Sequence, residues 1–298
     1  MISSDRLALL LALGAIVLLV AVYAVAFGTS AGLEVDERAI QSGEVGATFE
    51  SAEAATSRLL NTISLASLAL AGAGIVAIAV ARRRPRHAVV AAGVIVGANL
   101  ATQALKPLLG DFDPLGGDAE RFSQGIFPSG HATVAMSLAL ALVIVVPPQA
   151  RALAAAASAG YAAAIGVGLL LLGWHFPSDV AGGFLVAATL AGIAVAWLRS
   201  RAAKTSPDPA TLAPPAEVRR GVILALALAG AVAVAAAVAI GLRVGDVGQL
   251  ARYGRLHTAF FGGSAAIVAL ALALPAVVAA LMLRGARRSP AASDRDPT

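Results

Sequence analysis

The chain has 298 residues, of which 59% are hydrophobic and only 13% are charged, with a formal net charge of +5 and no cysteine. Such a composition indicates a membrane protein with several spans. The absence of cysteine excludes disulfides and thiolate chemistry.

Eight apolar runs follow one another along the chain, and most reach the ~20 residues that a helix needs to cross ~30 Å of hydrocarbon. They are continuous and rich in Ala, Leu and Val, without the alternation of β-barrel strands. The sequence therefore predicts an all-α fold with about eight transmembrane helices, at 7–27, 59–81, 88–105, 131–147, 152–173, 176–198, 221–242 and 259–283.

The first apolar run, 7–27, is longer than the apolar region of a typical signal peptide, and a long polar segment follows it. We therefore interpret it as a retained span. In the polar segment, a faint helical spacing between Glu34 and Phe49 fits a short interfacial helix and a solvated loop equally well.

Prolines and polar residues divide the chain after the sixth run. Residues 1–198 are predicted to form a six-span membrane core, and 199–220 a flexible cytoplasmic linker. Residues 221–284 are predicted to add a further pair of transmembrane helices, and 285–298 to form a disordered tail.

The distribution of Lys and Arg predicts the orientation of these spans. With both termini in the cytoplasm, the inner segments carry 15 of the 22 Lys and Arg residues, as the positive-inside rule requires. The net positive charge of the chain then reflects its topology and its contact with anionic lipid, rather than binding to nucleic acid. We expect a multi-pass protein of the cytoplasmic membrane.

In this topology, three distant segments bring polar groups to the outer membrane surface. Lys106 ends the third span, and Ser129-Gly130-His131 precedes the fourth. Ser129 can cap a helix whose first N–H groups form an anion site. The imidazole of His131 can hold a proton near neutral pH and transfer it to a leaving oxygen.

The third segment, between the fifth and sixth spans, contains His175 and Asp179. Four residues apart, they share one face of a helical turn, where the carboxylate can orient the imidazole. Two histidines and one aspartate could contribute to a zinc site, but the nearby lysine favours a bound anion. No metal or cofactor is predicted at this site. An alternative places a divalent ion in the acidic loop formed by Asp111, Asp113, Asp118 and Glu120.

These residues resemble the motifs of the type-2 phosphatidic acid phosphatase (lipid phosphate phosphatase) superfamily, K-x6-R-P, P-S-G-H and S-R-x5-H-x3-D. The second motif is complete at 128–131, and the third keeps His175 and Asp179 at the family spacing. The first keeps Lys106 and Pro114. The resemblance covers about residues 30–198 and implies a six-helix core with its active site at the outer membrane face.

The resemblance also implies the chemistry. His175 would attack the phosphorus of a lipid phosphate or diphosphate and form a phosphohistidine. Asp179 would orient His175, and His131 would protonate the leaving alkoxide. The phosphate oxygens would be bound by Lys106, Ser129 and Gly130. In-line displacement requires the two histidines on opposite sides of the phosphate, with their rings no more than ~12 Å apart.

The chain departs from the family at both arginines that bind phosphate. Asp113 stands where the family has Arg before Pro114, and Gly168-Leu169 stands where it has Ser-Arg. Arg121, eight residues before Ser129, is the first candidate for a replacement cation. The second candidates are Arg252, Arg255 and His257.

Because of these departures, two alternatives to a lipid phosphatase stay open. One is a non-catalytic member that binds a lipid headgroup or a partner protein. The other is a phosphotransferase that passes the phosphoryl group to an acceptor other than water.

Overall fold

The computed structural model of the chain describes residues 4–43, 50–61, 63–110, 127–202 and 257–284. Every regular element in these ranges is a helix, which confirms the predicted all-α class. The helices are α1 (Ser4–Gly28), α2 (Ser30–Gly43), α3 (Glu50–Asn61), α4 (Leu65–Ala81), α5 (Pro85–Gly110), α6 (Gly130–Val145), α7 (Pro148–Leu171), α8 (Pro177–Ala202) and α9 (Thr258–Arg284).

Five of the described helices, α1, α5, α7, α8 and α9, are long and apolar enough to cross a membrane. Two shorter apolar helices, α4 and α6, match two further predicted spans. The eighth predicted span, 221–242, lies outside the described residues. So do the predicted tail, 285–298, and most of the predicted linker, whose first residues continue α8 as far as Ala202.

The second apolar run, 59–81, is divided in the structure between the end of α3 and the whole of α4. Ser64 caps α4, because its hydroxyl accepts the Ser67 N–H at 3.1 Å. In return, the Ser67 hydroxyl accepts the Ser64 N–H at 2.8 Å. This capping box fixes the start of α4. The polar segment before α3 begins with the helix α2, so the stretch expected to be either a helix or a loop is helical as far as Gly43, and its remainder lies outside the described residues.

Helix α6 lies at the centre of the bundle and packs against α4, α5, α7, α8 and α9. Its side chains Met136, Leu140 and Ile144 are fully buried in the main core. Helix α1 runs along α8, where Gly192 allows close approach: a Cβ there would lie 2.8 Å from the Ala12 nitrogen. Helix α1 therefore packs within the bundle.

Arginines cap helix C termini at the end of the bundle where α6 finishes. Arg151, which is buried, donates to the main-chain oxygen of Val146 at 3.0 Å. Arg199 donates to the Leu281 oxygen of α9 at 2.8 Å. Arg82 also donates to the end of α6. These guanidinium groups satisfy carbonyl oxygens that have no partner within their own helix.

Candidate active site

The predicted phosphate-binding segment forms the N terminus of α6. Ser129 is the N-cap residue, and its hydroxyl accepts the Ala132 N–H at 3.3 Å. The N–H groups of Gly130 and His131, in the first turn, have no acceptor inside the helix. Together with the helix dipole, they make this end of α6 favourable for an anion.

Two glycines of α8 allow this helix to touch the start of α6. A Cβ on Gly183 would lie only 2.6 Å from the main-chain oxygen of Ser129, and one on Gly182 would lie 2.7 Å from the Phe127 ring. At Gly183, no larger residue fits unless backbone atoms move. The resulting contact brings Asp179, at the start of α8, to Ser129, whose N–H donates to the Asp179 main-chain oxygen at 2.9 Å.

A hydroxyl pair joins α5 to the same turn. The Oγ1 atoms of Thr102 and Thr133 are 2.8 Å apart, and Thr133 donates to the Ser129 main-chain oxygen at 2.9 Å. Thr102 lies one turn before Lys106, so this pair fixes the position of the lysine along α6. The Lys106 Nζ lies 4.0 Å from where a Cβ on Gly130 would be.

The loop between α7 and α8 carries His175, whose Nδ1 lies 3.4 Å from Oδ2 of Asp179. The same oxygen accepts the Phe176 N–H at 3.0 Å. Asp179 is fully buried, and its Oδ1 has no hydrogen-bond partner among the described residues. Because a carboxylate can only accept, the His175 proton belongs on Nδ1, which leaves the lone pair on Nε2.

The two histidines face each other across the site. The ring centroids of His131 and His175 are 6.4 Å apart, within the expected limit, and the rings are inclined at 59°. Lys106 and His175 are both close enough to His131 to interact with it electrostatically. The ring of Trp174, next to His175, lies 5.9 Å from that of His131.

Six of the seven site residues singled out in the sequence therefore meet at one end of the bundle. They are Lys106, Ser129, Gly130, His131, His175 and Asp179. The seventh, Arg121, lies outside the described residues, as do Asp113 and the other acids of its loop. Of the second candidates, Arg252 and Arg255 also lie outside, and His257 immediately precedes α9. In the described ranges, no group of three His, Asp or Glu side chains could hold a metal ion.

Gly168 and Leu169, which the motif resemblance aligns with Ser-Arg, are closely packed in the structure. Leu169 is fully buried in the main core, and a Cβ on Gly168 would lie 2.9 Å from Cγ2 of Thr56 in α3. Leu60 of α3 lies against the same glycine. Helix α3 thus covers the part of α7 where the family motif has Ser-Arg.

A buried acid outside the predicted site residues also contacts the start of α8. Asp36 of α2 is buried, and its Oδ2 accepts a hydrogen bond from the Ser178 hydroxyl at 2.5 Å. Asp36 is one of several acids in a polar stretch, and no local pattern distinguishes it from its neighbours.

Comparison with known families agrees with this geometry. Residues 59–203 match the model of the PAP2 superfamily. Comparisons with curated proteins and with solved structures gave no significant match. The family match contains all six of the residues that meet in the site, whereas α1, α2 and α9 lie outside it. The motif spacing, the helical bundle and the match of residues 59–203 are all consistent with a member of the PAP2 superfamily.

Proposed function

We propose that this protein is a membrane phosphatase that hydrolyses a lipid phosphate or diphosphate through a phosphohistidine on His175. The observation that carries the proposal is the pair of imidazoles, His131 and His175, with ring centroids 6.4 Å apart beside Lys106 and the N terminus of α6. The match of residues 59–203 to the PAP2 superfamily supports activity of the phosphatase type.

In the first step, Nε2 of His175 attacks phosphorus while the bond from phosphorus to the leaving oxygen breaks. His131, in its protonated form, donates its proton to that oxygen, so the lipid leaves as an alcohol or, from a diphosphate, as a monophosphate. The Nδ1–H of His175 faces the Asp179 carboxylate at 3.4 Å. The buried negative charge stabilises the positive charge that His175 acquires on phosphorylation.

Binding of the phosphate oxygens falls to groups around the start of α6. Lys106 supplies an ammonium, Ser129 a hydroxyl proton, and Gly130 and His131 supply main-chain N–H groups. One ammonium leaves a phosphate dianion poorly neutralised. We therefore assign the additional cation to Arg121, because it precedes Ser129 by only eight residues.

In the second step, water attacks the phosphorus of phosphohistidine. His131 has lost its proton in the first step, so it can accept one from the water. The bond between phosphorus and Nε2 breaks, inorganic phosphate leaves, and both histidines return to their starting states. No metal or cofactor takes part in this scheme.

The lipid tail would remain in the bilayer while its headgroup enters between the histidines. Both termini would lie in the cytoplasm, because the arginine caps would then be inside and the histidines at the outer face of the cytoplasmic membrane. Trp174 is 42% exposed beside His131, as expected of an aromatic side chain at a membrane surface.

A second candidate function is favoured by one observation, the buried Leu169 at a position where the family has a phosphate-binding arginine. A site with too little positive charge could bind a lipid headgroup without hydrolysing it. That protein would bind vesicles that contain lipid phosphate but release no phosphate from them.

The test is phosphate release by the purified protein from phosphatidic acid, isoprenyl monophosphate and isoprenyl diphosphate in mixed micelles. We expect release from at least one of them and none with His175→Ala. Lys106→Ala and Arg121→Ala should lower turnover by similar factors. If Lys106→Ala lowers turnover and Arg121→Ala does not, Arg121 is not the additional cation.

The wild-type protein separates the candidate functions. Binding of the lipid without release of phosphate would favour the headgroup binder, and transfer of phosphate to an added alcohol would identify a phosphotransferase.

A further inference from the structure

The carboxylate of Asp36 is turned into the protein, unlike those of its neighbours on α2. Asp36 is only 4% exposed, whereas Glu34 and Glu37 are exposed. Burial of a carboxylate is unfavourable unless hydrogen bonds replace its water. The Ser178 hydroxyl supplies such a bond, at 2.5 Å.

The partner of Asp36 lies at the centre of the candidate site. Ser178 is in the first turn of α8, between His175 and Asp179. One turn beyond Asp36, Ile40 lies against the start of the same loop: its Cγ2 is 3.7 Å from where a Cβ on Gly173 would be. Helix α2 therefore contacts both ends of the segment that carries His175.

The contact between His175 and Asp179 is sensitive to movement of this segment. Its length, 3.4 Å, is close to the outer limit for a hydrogen bond, so a small displacement of α8 would break it. Displacements of ~1 Å in an active site can reduce rates by ~10²-fold. We therefore expect a bond that fixes Ser178 to influence the orientation of the imidazole.

We propose that Asp36 is a positioning residue of the active site, which holds the first turn of α8 through Ser178 and so maintains the His175–Asp179 contact. Asp36 and α2 lie outside the family match at 59–203, so the site depends on an element beyond that core. This inference rests on the proposed phosphatase function. Asp36 itself does not touch the substrate.

The experiment measures the rate constant and the amplitude of phosphohistidine formation in a single turnover, with the lipid that gives the fastest phosphate release. The amplitude reports the fraction of folded, competent sites, and the rate constant reports their geometry. The variants are Asp36→Ala, Asp36→Asn, Ser178→Ala and the double alanine variant. Glu34→Ala is the matched control, an exposed acid on the same helix.

We expect the rate constant to fall by about 10-fold or more in Asp36→Ala and Ser178→Ala, and no further in the double variant, because both changes remove one bond. Asp36→Asn keeps an oxygen that can accept from Ser178, so it should stay within about twofold of the wild type. Glu34→Ala should have the wild-type rate constant.

Additive effects in the double variant, or an unchanged rate constant in Ser178→Ala, would overturn the positioning role while leaving the phosphatase proposal intact. If Asp36→Ala does not fold, Ser178→Ala alone tests whether the bond between Asp36 and Ser178 positions His175. A wild-type protein that forms no phosphohistidine would overturn both proposals together.

Discussion

The main-chain N–H of Ser129 donates to the main-chain oxygen of Asp179 at 2.9 Å, which joins the N terminus of α6 to the first turn of α8. Ser129 is two residues before His131, and Asp179 is four residues after His175. This backbone bond therefore links the two segments that carry the imidazoles. The bond forms because Gly183 leaves no side chain between the helices.

Gly183→Ala tests this helix contact. The new methyl group would lie 2.6 Å from the Ser129 oxygen, and backbone atoms must move to admit it. We expect a loss of ~1–3 kcal/mol in stability and at least a ~10-fold fall in kcat. The measurements are thermal unfolding in detergent and phosphate release.

Gly160→Ala, in α7, is the matched control because a Cβ there would meet nothing within 4 Å. The same change in a helix usually stabilises slightly, by ~0.5–1 kcal/mol. Equal effects of the two substitutions on stability and kcat would show that the close approach of the helices at Gly183 is not required.

Gly263→Ala tests whether the contact between α9 and the start of α8 supports activity. A Cβ on Gly263 would lie 2.7 Å from Cγ of Pro177, the residue that begins α8. The substitution should push α9 away from the His175 segment and lower kcat several-fold. Gly262→Ala, one position earlier and with nothing within 4 Å of its Cβ, should leave kcat unchanged. If Gly263→Ala is as active as Gly262→Ala, α9 does not support the site.

Asp179→Asn tests the charge beside His175. The amide could still accept the Nδ1 proton, but it carries no negative charge to stabilise phosphorylated His175. We expect kcat to fall by ~10²-fold or more, with KM changed little because Lys106 and the start of α6 still bind the phosphate. Asp36→Asn is the control, the same change at a neighbouring buried acid. A KM effect without a kcat effect would contradict the orienting role of Asp179.

The parts of the fold and site that the sequence predicts are those with a local signal. Long apolar runs give the helices, and the short motifs around Ser129 and His175 give the site, because each motif is contiguous. Only Ser64 and Ser67 mark the break between α3 and α4 in the sequence. This signal is weak because both serines lie inside an apolar run.

Contacts between residues distant in the sequence could not be predicted in this way. Asp36 and Ser178 are 142 positions apart, and an acid in a polar helix does not reveal which face it occupies. Likewise, Gly168 appears as a lost motif residue in the sequence. The structure shows that Thr56 of α3 fills the space beside it.

The orientation in the membrane is testable with single cysteines, because the native chain has none. Glu37→Cys on α2 lies at the histidine end, and Ser200→Cys on α8 lies near the arginine caps. Both residues are exposed. A maleimide that cannot cross the membrane should label Glu37→Cys in intact cells and Ser200→Cys only after permeabilisation. The reverse pattern would place the site in the cytoplasm.

The most direct test of the central proposal is the detection of phosphate on His175 itself. The purified protein would be mixed with the radiolabelled lipid phosphate that it hydrolyses fastest, quenched with alkali to preserve phosphohistidine, and digested for peptide mapping. We expect label on the peptide that contains His175, less of it in Asp179→Asn, and none in His175→Ala. Phosphate release by the wild type with no labelled histidine, or full release by His175→Ala, would contradict the mechanism.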